Sequence, residues 1–552
     1  MSPNSTDPAG GSSAAELAAV ERAAVDHVFA LQPGYAVFLG LHDYDGRLPD
    51  LRPAATERWV AETDRLLARL RSVPDAGGDR GRSFDRTLLE LLLESPRFDL
   101  VDTRDYDRNP MNYLGSVSLT SYIVREYAPI DVRAGAILRI LEEAPAFLDA
   151  GRRRLEPHLA EPFLQLALAI GSGLPAHFAE VTEYVRSHGG TNLPKLDAAR
   201  AAAEQAVGEF LERLRTDFLP KANQEFALGA GRYQKLLWVR EALRTSIAEL
   251  RAAGLEDLRR NQRRFEEVAR SQRPATSMHD LLEEVYRRHT TAEELIPSAQ
   301  RLVAEMREFV RAKQLASIPE PDACRVEETP VWGRALSTAS MNPPGPFEES
   351  GDEGIYFVTP VDPAWAPERR EEWLRALNSA MLANITVHEV YPGHYLQFLH
   401  FRRAASTLAR KVYLSGAFTE GWAHYCEQLA IEAGLRDRTA EAEAAQIHDA
   451  LLRDCRLLVS VGLHTEGMTL EEGTQFFMRE GALERLPAER EAIRGTFNPE
   501  YFSYTLGKLK ILEARAKYLD PKFGGSLQRF HDRLMSFGSP PVGFLDELLG
   551  AH

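Results

Sequence analysis

The sequence predicts a mainly α-helical protein, a large helical body with a small β-sheet beside the helix that carries its most distinctive motif. Long stretches carry apolar residues at three- and four-residue spacing, the period of a helix with one buried face. Alternation of the strand type is scarce outside the segment from Cys324 to Pro363. That segment leads into His388-Glu389-Val390-Tyr391-Pro392-Gly393-His394, with two imidazoles and a carboxylate within two helical turns.

Residues 1–13 are polar and glycine-rich and are expected to form a disordered tail. Helical spacing then runs through 14–30, 55–73, 84–98, 133–150, 162–187, 195–217, 231–250 and 255–271, and continues through 277–290 and 292–314. Arg273-Pro274-Ala275-Thr276-Ser277 interrupts the pattern. It suggests a soft division into a helical N-terminal region, 14–273, and a catalytic region, 274–552, sharing one cleft. Beyond Cys324 the runs Val326 to Trp332 and Ile355 to Thr359 are β-prone, and Asn342-Pro343-Pro344-Gly345-Pro346-Phe347 between them suits no helix. A small sheet directly upstream of the histidines fits these residues, with an edge strand able to pair with an extended peptide. Trp365-Ala366-Pro367-Glu368 then starts a helix. Its stripe of Leu374, Leu377, Met381, Ile385 and His388 is expected to face the core.

The 552 residues, 44% hydrophobic and 27% charged, are ordinary for a globular protein with a substantial core. A net charge of −15 argues against nucleic acid or an anionic membrane as the main partner. No run approaches the length that spans a bilayer, and the first residues lack the cationic and apolar segments of a secretory signal. Cys324, Cys426 and Cys455 are too few and too scattered for a disulfide framework, and are read as reduced thiols of a soluble, cytoplasmic protein. The residues do not indicate an oligomeric state.

A catalytic zinc takes three N or O ligands from protein and keeps one position open, with a carboxylate beside it to accept a proton from water. In the signature H-E-x-x-H the histidines lie four residues apart on one helical face. Here that position is Pro392 and the second histidine is His394. Six residues along an ideal helix turn about 600° and rise about 9 Å, which misdirects the second ring. Pro392-Gly393 is the pair that would break the helix and redirect it. Twenty-six residues later Glu420 offers a third ligand, with Gly421 and Ala423 small enough for close helix packing. His424 and Glu427 share its helical stripe as candidates to orient the ligands. An oxyanion needs a donor as well. Tyr504 is the candidate, with His464 and Tyr501 as rivals.

His388-Glu389-x-x-Pro392-Gly393-His394, Glu420-Gly421-Trp422-Ala423-x-Tyr425 and Tyr504-x-x-Gly507 together resemble the large bacterial family of unknown function called DUF885. The resemblance covers almost the whole chain, from Pro33-Gly34-Tyr35-Ala36-Val37-Phe38-Leu39-Gly40-Leu41-His42 to Phe530-His531-Asp532-Arg533-Leu534. That family is similar to the glutamate-type zinc peptidases, including helical oligopeptidases and carboxypeptidases, which implies a zincin-like catalytic region with a deep cleft. Dipeptidyl peptidase III is a precedent of another kind: one extra residue separates its histidines, and a bulged helix still binds zinc. By this resemblance His388, His394 and Glu420 are ligands of one Zn2+ per chain and Glu389 is the general base. Where many members of that family carry Asp shortly before Gly462-Leu463-His464, this chain has Ser460.

The expected activity is zinc-dependent hydrolysis of short peptides, with Glu389 activating a zinc-bound water and Tyr504 or His464 facing the oxyanion. Two alternatives stay open: a non-catalytic peptide-binding pseudoenzyme, and a metal-dependent hydrolase of non-peptide amides or esters.

Overall fold

A computed structural model describes residues 8–74, 80–273, 275–334, 337–349, 353–404 and 407–550. The protein is mainly helical with one three-stranded sheet. Part of the expected tail, 1–7, lies outside the described residues. Residues 8–13 differ from expectation, because the first helix already begins at Pro8.

The first half of the chain is a stack of long helices: α1 Pro8–Leu31, α2 Pro53–Ser72, α3 Arg80–Val101, α4 Ile130–Arg154, α5 Glu161–Ser187 and α6 Leu193–Arg213. Their apolar faces form one core, to which Ala409, Val412 and Tyr413 contribute from far along the chain. The next helices, α7 Ala230–Glu241, α8 Ile247–Gln272, α9 Met278–Tyr286 and α10 Leu295–Ala312, turn to a second core that surrounds the histidine motif. Most of the first core ends at Leu214 and most of the second starts at Phe226, ahead of the interruption at residue 273, while Phe98, Ala160 and Phe163 pack into the second core and Ala242 into the first. The helix expected over 231–250 is two helices. Ala242 takes a left-handed conformation, and Ser246 opens α8 through a reciprocal capping box with Glu249.

The sheet consists of β1 Cys324–Glu328, β2 Ala339–Asn342 and β3 Gly354–Val358, in the order β1-β3-β2. β1 is parallel to β3, and β2 is antiparallel to it, so β2 is an edge. All five residues of β3 are buried, and the Tyr356 hydroxyl lies 3.3 Å from Thr386 Oγ1 on the helix below. The proline-rich return from β2 is gripped by the first half of the chain. Phe347 N–H donates to the Leu39 carbonyl at 3.0 Å, and His42 bridges Asp45 at 3.1 Å and Glu348 at 3.2 Å. A Cβ on Gly345 would lie 2.3 Å from the Leu39 carbonyl carbon, so only glycine admits this approach.

The helix expected to run unbroken from Pro367 to His388 is also two, α11 Pro367–Ala376 and α12 Ser379–Glu389. Asn378 between them caps α12, accepting from the amides of Ala380 and Met381 at 3.2 and 3.0 Å. Its Met381-Ile385-His388 stripe faces a cleft rather than the core. Then follow α13 His394–Ala404, α14 Gly416–Glu432, α15 Ala440–Val461, α16 Leu470–Gly481, α17 Arg485–Phe497, α18 Ser503–Phe523 and α19 Leu527–Met535. Among the described residues no helix is long and apolar enough to cross a membrane.

Candidate metal centre

The motif helix stops inside the motif. Glu389 is the last residue of α12, and Val390 leaves helical geometry at φ −116° and ψ −81°. The Tyr391–Pro392 peptide bond is cis, and α13 begins at His394. At the crossing the Gly393 N–H donates to the Val387 carbonyl at 3.0 Å. A Cβ there would sit 1.8 Å from the His388 carbonyl oxygen, so any other residue would force the backbone apart. The indole of Trp422 donates to the Pro392 carbonyl at 2.9 Å, pinning the break to α14. On the other side the Tyr391 hydroxyl donates to Asp322, whose second oxygen pairs with Arg307 at 2.6 Å.

The break returns the second imidazole to the first. The rings of His388 and His394 stand 4.7 Å apart, nearly perpendicular. Both Nε2 atoms lie 3.6 Å from one oxygen, Glu420 Oε2. One nitrogen or oxygen from each of the three lies within 4.8 Å of the others, a group able to hold a metal ion. Close packing of α14 on α18 places Glu420. A Cβ on Gly421 would be 2.3 Å from Gly507 Cα, and one on Gly507 would be 1.8 Å from the Ala417 carbonyl oxygen. The same contact sets Tyr504, one turn before Gly507, on the cleft wall with Glu420.

Behind this group lies a fully paired carboxylate. Glu427 Oε1 accepts from His388 Nδ1 at 2.6 Å and pairs with Arg453 at 3.1 Å. Its other oxygen accepts from Asn384 at 3.2 Å and lies 3.4 Å from His424 Nδ1. Asp449 completes the arrangement, 2.8 Å from Arg453 and 3.0 Å from Asn384. The bond to Nδ1 leaves His388 Nε2 directed at Glu420. His394 Nδ1 is buried without a partner among the described residues.

Charge in the cluster follows from these contacts. Burial opposes a proton on His388, but Glu420 and Glu427 beside it carry its pKa up to about 10. Burial would lift the Glu420 carboxyl, and the two imidazoles hold it well below the usual range. Glu427 is likewise held low against burial, chiefly by Arg453. Glu389 is raised by burial, with the imidazoles pulling it back and the Met341 N–H of β2 bonding it. Burial, then Glu420, pushes the Tyr504 hydroxyl up to about 12.

His388, His394, Glu389, Glu420 and Tyr504 all line one cleft of about 1310 Å³, which the edge strand β2 also borders. His464 does not. Both its ring nitrogens face backbone, Nε2 at 2.9 Å from the Gly495 carbonyl and Nδ1 accepting from Leu228 N–H at 3.3 Å. It belongs to the packing between α7 and α17, and the expectation of an oxyanion donor there is corrected. The Tyr501 hydroxyl is taken by Glu491 at 2.9 Å. Ser460 donates to the Pro499 carbonyl at 2.8 Å and meets the Tyr233 hydroxyl at 3.0 Å, a buried tie between helices outside the cleft lining. Sequence reasoning missed Asn384, Asp449 and the Met341 amide. Asn384 sits four residues before His388, and Asp449 four before Arg453, spacings that put each pair on one face.

A family described as "Bacterial protein of unknown function (DUF885)" matches residues 33–549. No curated protein matches the chain. Among solved structures, "a putative lipoprotein of unknown function from Shewanella oneidensis" superposes with a TM-score of 0.79 at 24% identity, over 96% of this chain and 99% of that one. A second, "the putative lipoprotein from Colwellia psychrerythraea", gives 0.73 at 20% identity over 98% and 99%. At these identities the likeness is one of fold. The cytoplasmic expectation is corrected, since both of these solved structures are described as putative lipoproteins. Three unpaired thiols, two of them buried, do not discriminate between compartments.

Proposed function

We propose that this chain, which belongs to the DUF885 family, is a zinc-dependent peptidase of short peptides with a zincin-like cleft. The observation that carries the reading is the pair of 3.6 Å approaches of His388 and His394 Nε2 to one Glu420 oxygen. That separation is long for a hydrogen bond. Two atoms bound to one tetrahedral zinc at about 2.0–2.1 Å lie about 3.3 Å apart, so the three groups fit the ion with little movement. Glu427 on His388 Nδ1 is the support that zinc-bound imidazoles generally have.

His388, His394 and Glu420 would hold the zinc, which when bound supplies a Lewis acid for the scissile carbonyl and lowers the pKa of water. Glu389, next in the chain to a ligand and raised by burial, accepts the proton of the attacking water and passes it to the leaving amine. Among the described residues nothing hydrogen-bonds the Tyr504 hydroxyl. With a pKa of about 12 it stays protonated and donates to the developing oxyanion. The edge strand β2 offers backbone groups to an extended peptide alongside.

The test is zinc content and a peptide-mixture digest, read by mass spectrometry, for the wild type and Glu389→Gln. The expected result is about one zinc per chain in both proteins, with hydrolysis in the wild type alone. Metal-free wild type without hydrolysis would favour the pseudoenzyme. Equal turnover in both proteins would remove Glu389 as the base.

A further inference from the structure

Pro487, Arg490, Glu491 and Arg494 form one face of α17 and line the same cleft as the metal cluster. The charge of Glu491 is spent: it accepts two bonds from Arg456, each 2.7 Å, and one from Tyr501. Arg490 and Arg494 are exposed to the cleft, and among the described residues neither has a carboxylate within ion-pair reach. Arg494 stands near the chemistry, with Arg490 one turn before it on the same face. The Arg456 guanidinium lies 5.3 Å from the rings of both Tyr504 and Tyr501, and that of Arg494 lies 5.6 Å from the Tyr501 ring. Tyr504 feels both Glu420 and Arg494. The lining holds six arginines against five carboxylates, two of which belong to the metal cluster and its base. This excess occurs in a chain of net charge −15. Guanidinium groups one helical turn apart, with no carboxylate in ion-pair contact, are suited to a planar carboxylate.

We propose that Arg490 and Arg494 receive a carboxylate of the substrate, so that the cleft selects peptides presenting a negative group on the Tyr504 side of the scissile bond. The inference rests on the peptidase reading and narrows its substrate class. A free C-terminus and an acidic side chain share this chemistry, and the test separates them.

Tetrapeptides are made in three forms: C-terminal acid, C-terminal amide, and amide with one Glu exchanged in turn for Gln. The zinc-loaded protein and its Arg490→Gln/Arg494→Gln variant are compared by kcat/KM. The expected result is a preference of about tenfold or more for one carboxylate form, collapsing towards parity in the variant and partly restored by Arg494→Lys. Preference for the acid over the amide assigns the C-terminus, and preference for Glu over Gln assigns a side chain. Calorimetry of acetyl-tetraalanine acid and amide, and of acetylated Glu and Gln tetrapeptide amides, on zinc-loaded Glu389→Gln reads recognition without turnover. Absence of hydrolysis alongside an arginine-dependent preference in binding would sink the peptidase and keep the receiving site. Equal treatment of charged and neutral forms in both assays would overturn the receiving site, whatever is hydrolysed.

Discussion

Replacing Gly393 by alanine tests the geometry on which the metal centre rests. The new Cβ would start 1.8 Å from the His388 carbonyl oxygen and 2.4 Å from that of Val387, where real contacts stay beyond 3.0 Å. Both neighbours are backbone, so no side chain can rotate away, and the chain must open by roughly 1 Å in an interior that packs without slack. That carbonyl belongs to the peptide joining His388 to Glu389, so the displacement falls on a proposed ligand and the proposed base together. Metal–ligand distances tolerate about 0.2 Å. The overpacking costs about 1–3 kcal/mol, which leaves a protein of this size folded. The expected outcome is a cooperative melt by circular dichroism, with zinc falling from about one per chain to a small fraction after dialysis. An alanine variant that keeps stoichiometric zinc at wild-type affinity would refute the claim that this crossing aims the imidazoles.

Glu427→Gln removes the charged partner of His388 Nδ1, 2.6 Å away, and should weaken zinc binding by about 10–100-fold with the fold retained; a competing chelator measures it, and an unchanged affinity would count against the support role. In the metal-free cluster a proton stays on His388 up to pH about 10, whereas zinc requires the neutral imidazole. Apparent zinc affinity should therefore rise about tenfold per pH unit from 6 to 8, and a flat titration would contradict the shift. Lys508 and Asp257 form a fully buried pair at 2.6 Å. Lys508→Met leaves Asp257 with Arg260 alone and should cost about 3 kcal/mol in urea unfolding, whereas a loss below about 1 kcal/mol would mean the pair is dispensable.

Much of this was readable from residues because the chemistry is local. Proline and glycine inside a histidine motif have one structural consequence, a broken helix, and Gly421 and Gly507 announce a close contact by lacking side chains. The sheet was visible for the same reason, since the prolines before Phe347 exclude a helix. Strand β2 itself escaped notice, because four residues pair only through a partner more than a dozen positions away. The splits at Ala242 and Asn378 escaped too, since apolar spacing continues across them while a single cap decides the ending. His464 shows the limit of residue type as a guide. An imidazole near a motif in sequence was placed by backbone carbonyl and amide partners that no pattern reveals.

The grip of the Leu39–His42 corner on the return from β2 has a practical consequence. A fragment trimmed to begin near residue 226 would still contain every residue named at the metal centre. It would lack the buttress that seats the strand bordering that centre, because Leu39 and His42 supply it from several hundred positions upstream. A fragment without the first half of the chain therefore loses contacts that hold this strand, and an insertion between Leu39 and His42 would disturb it from a distance.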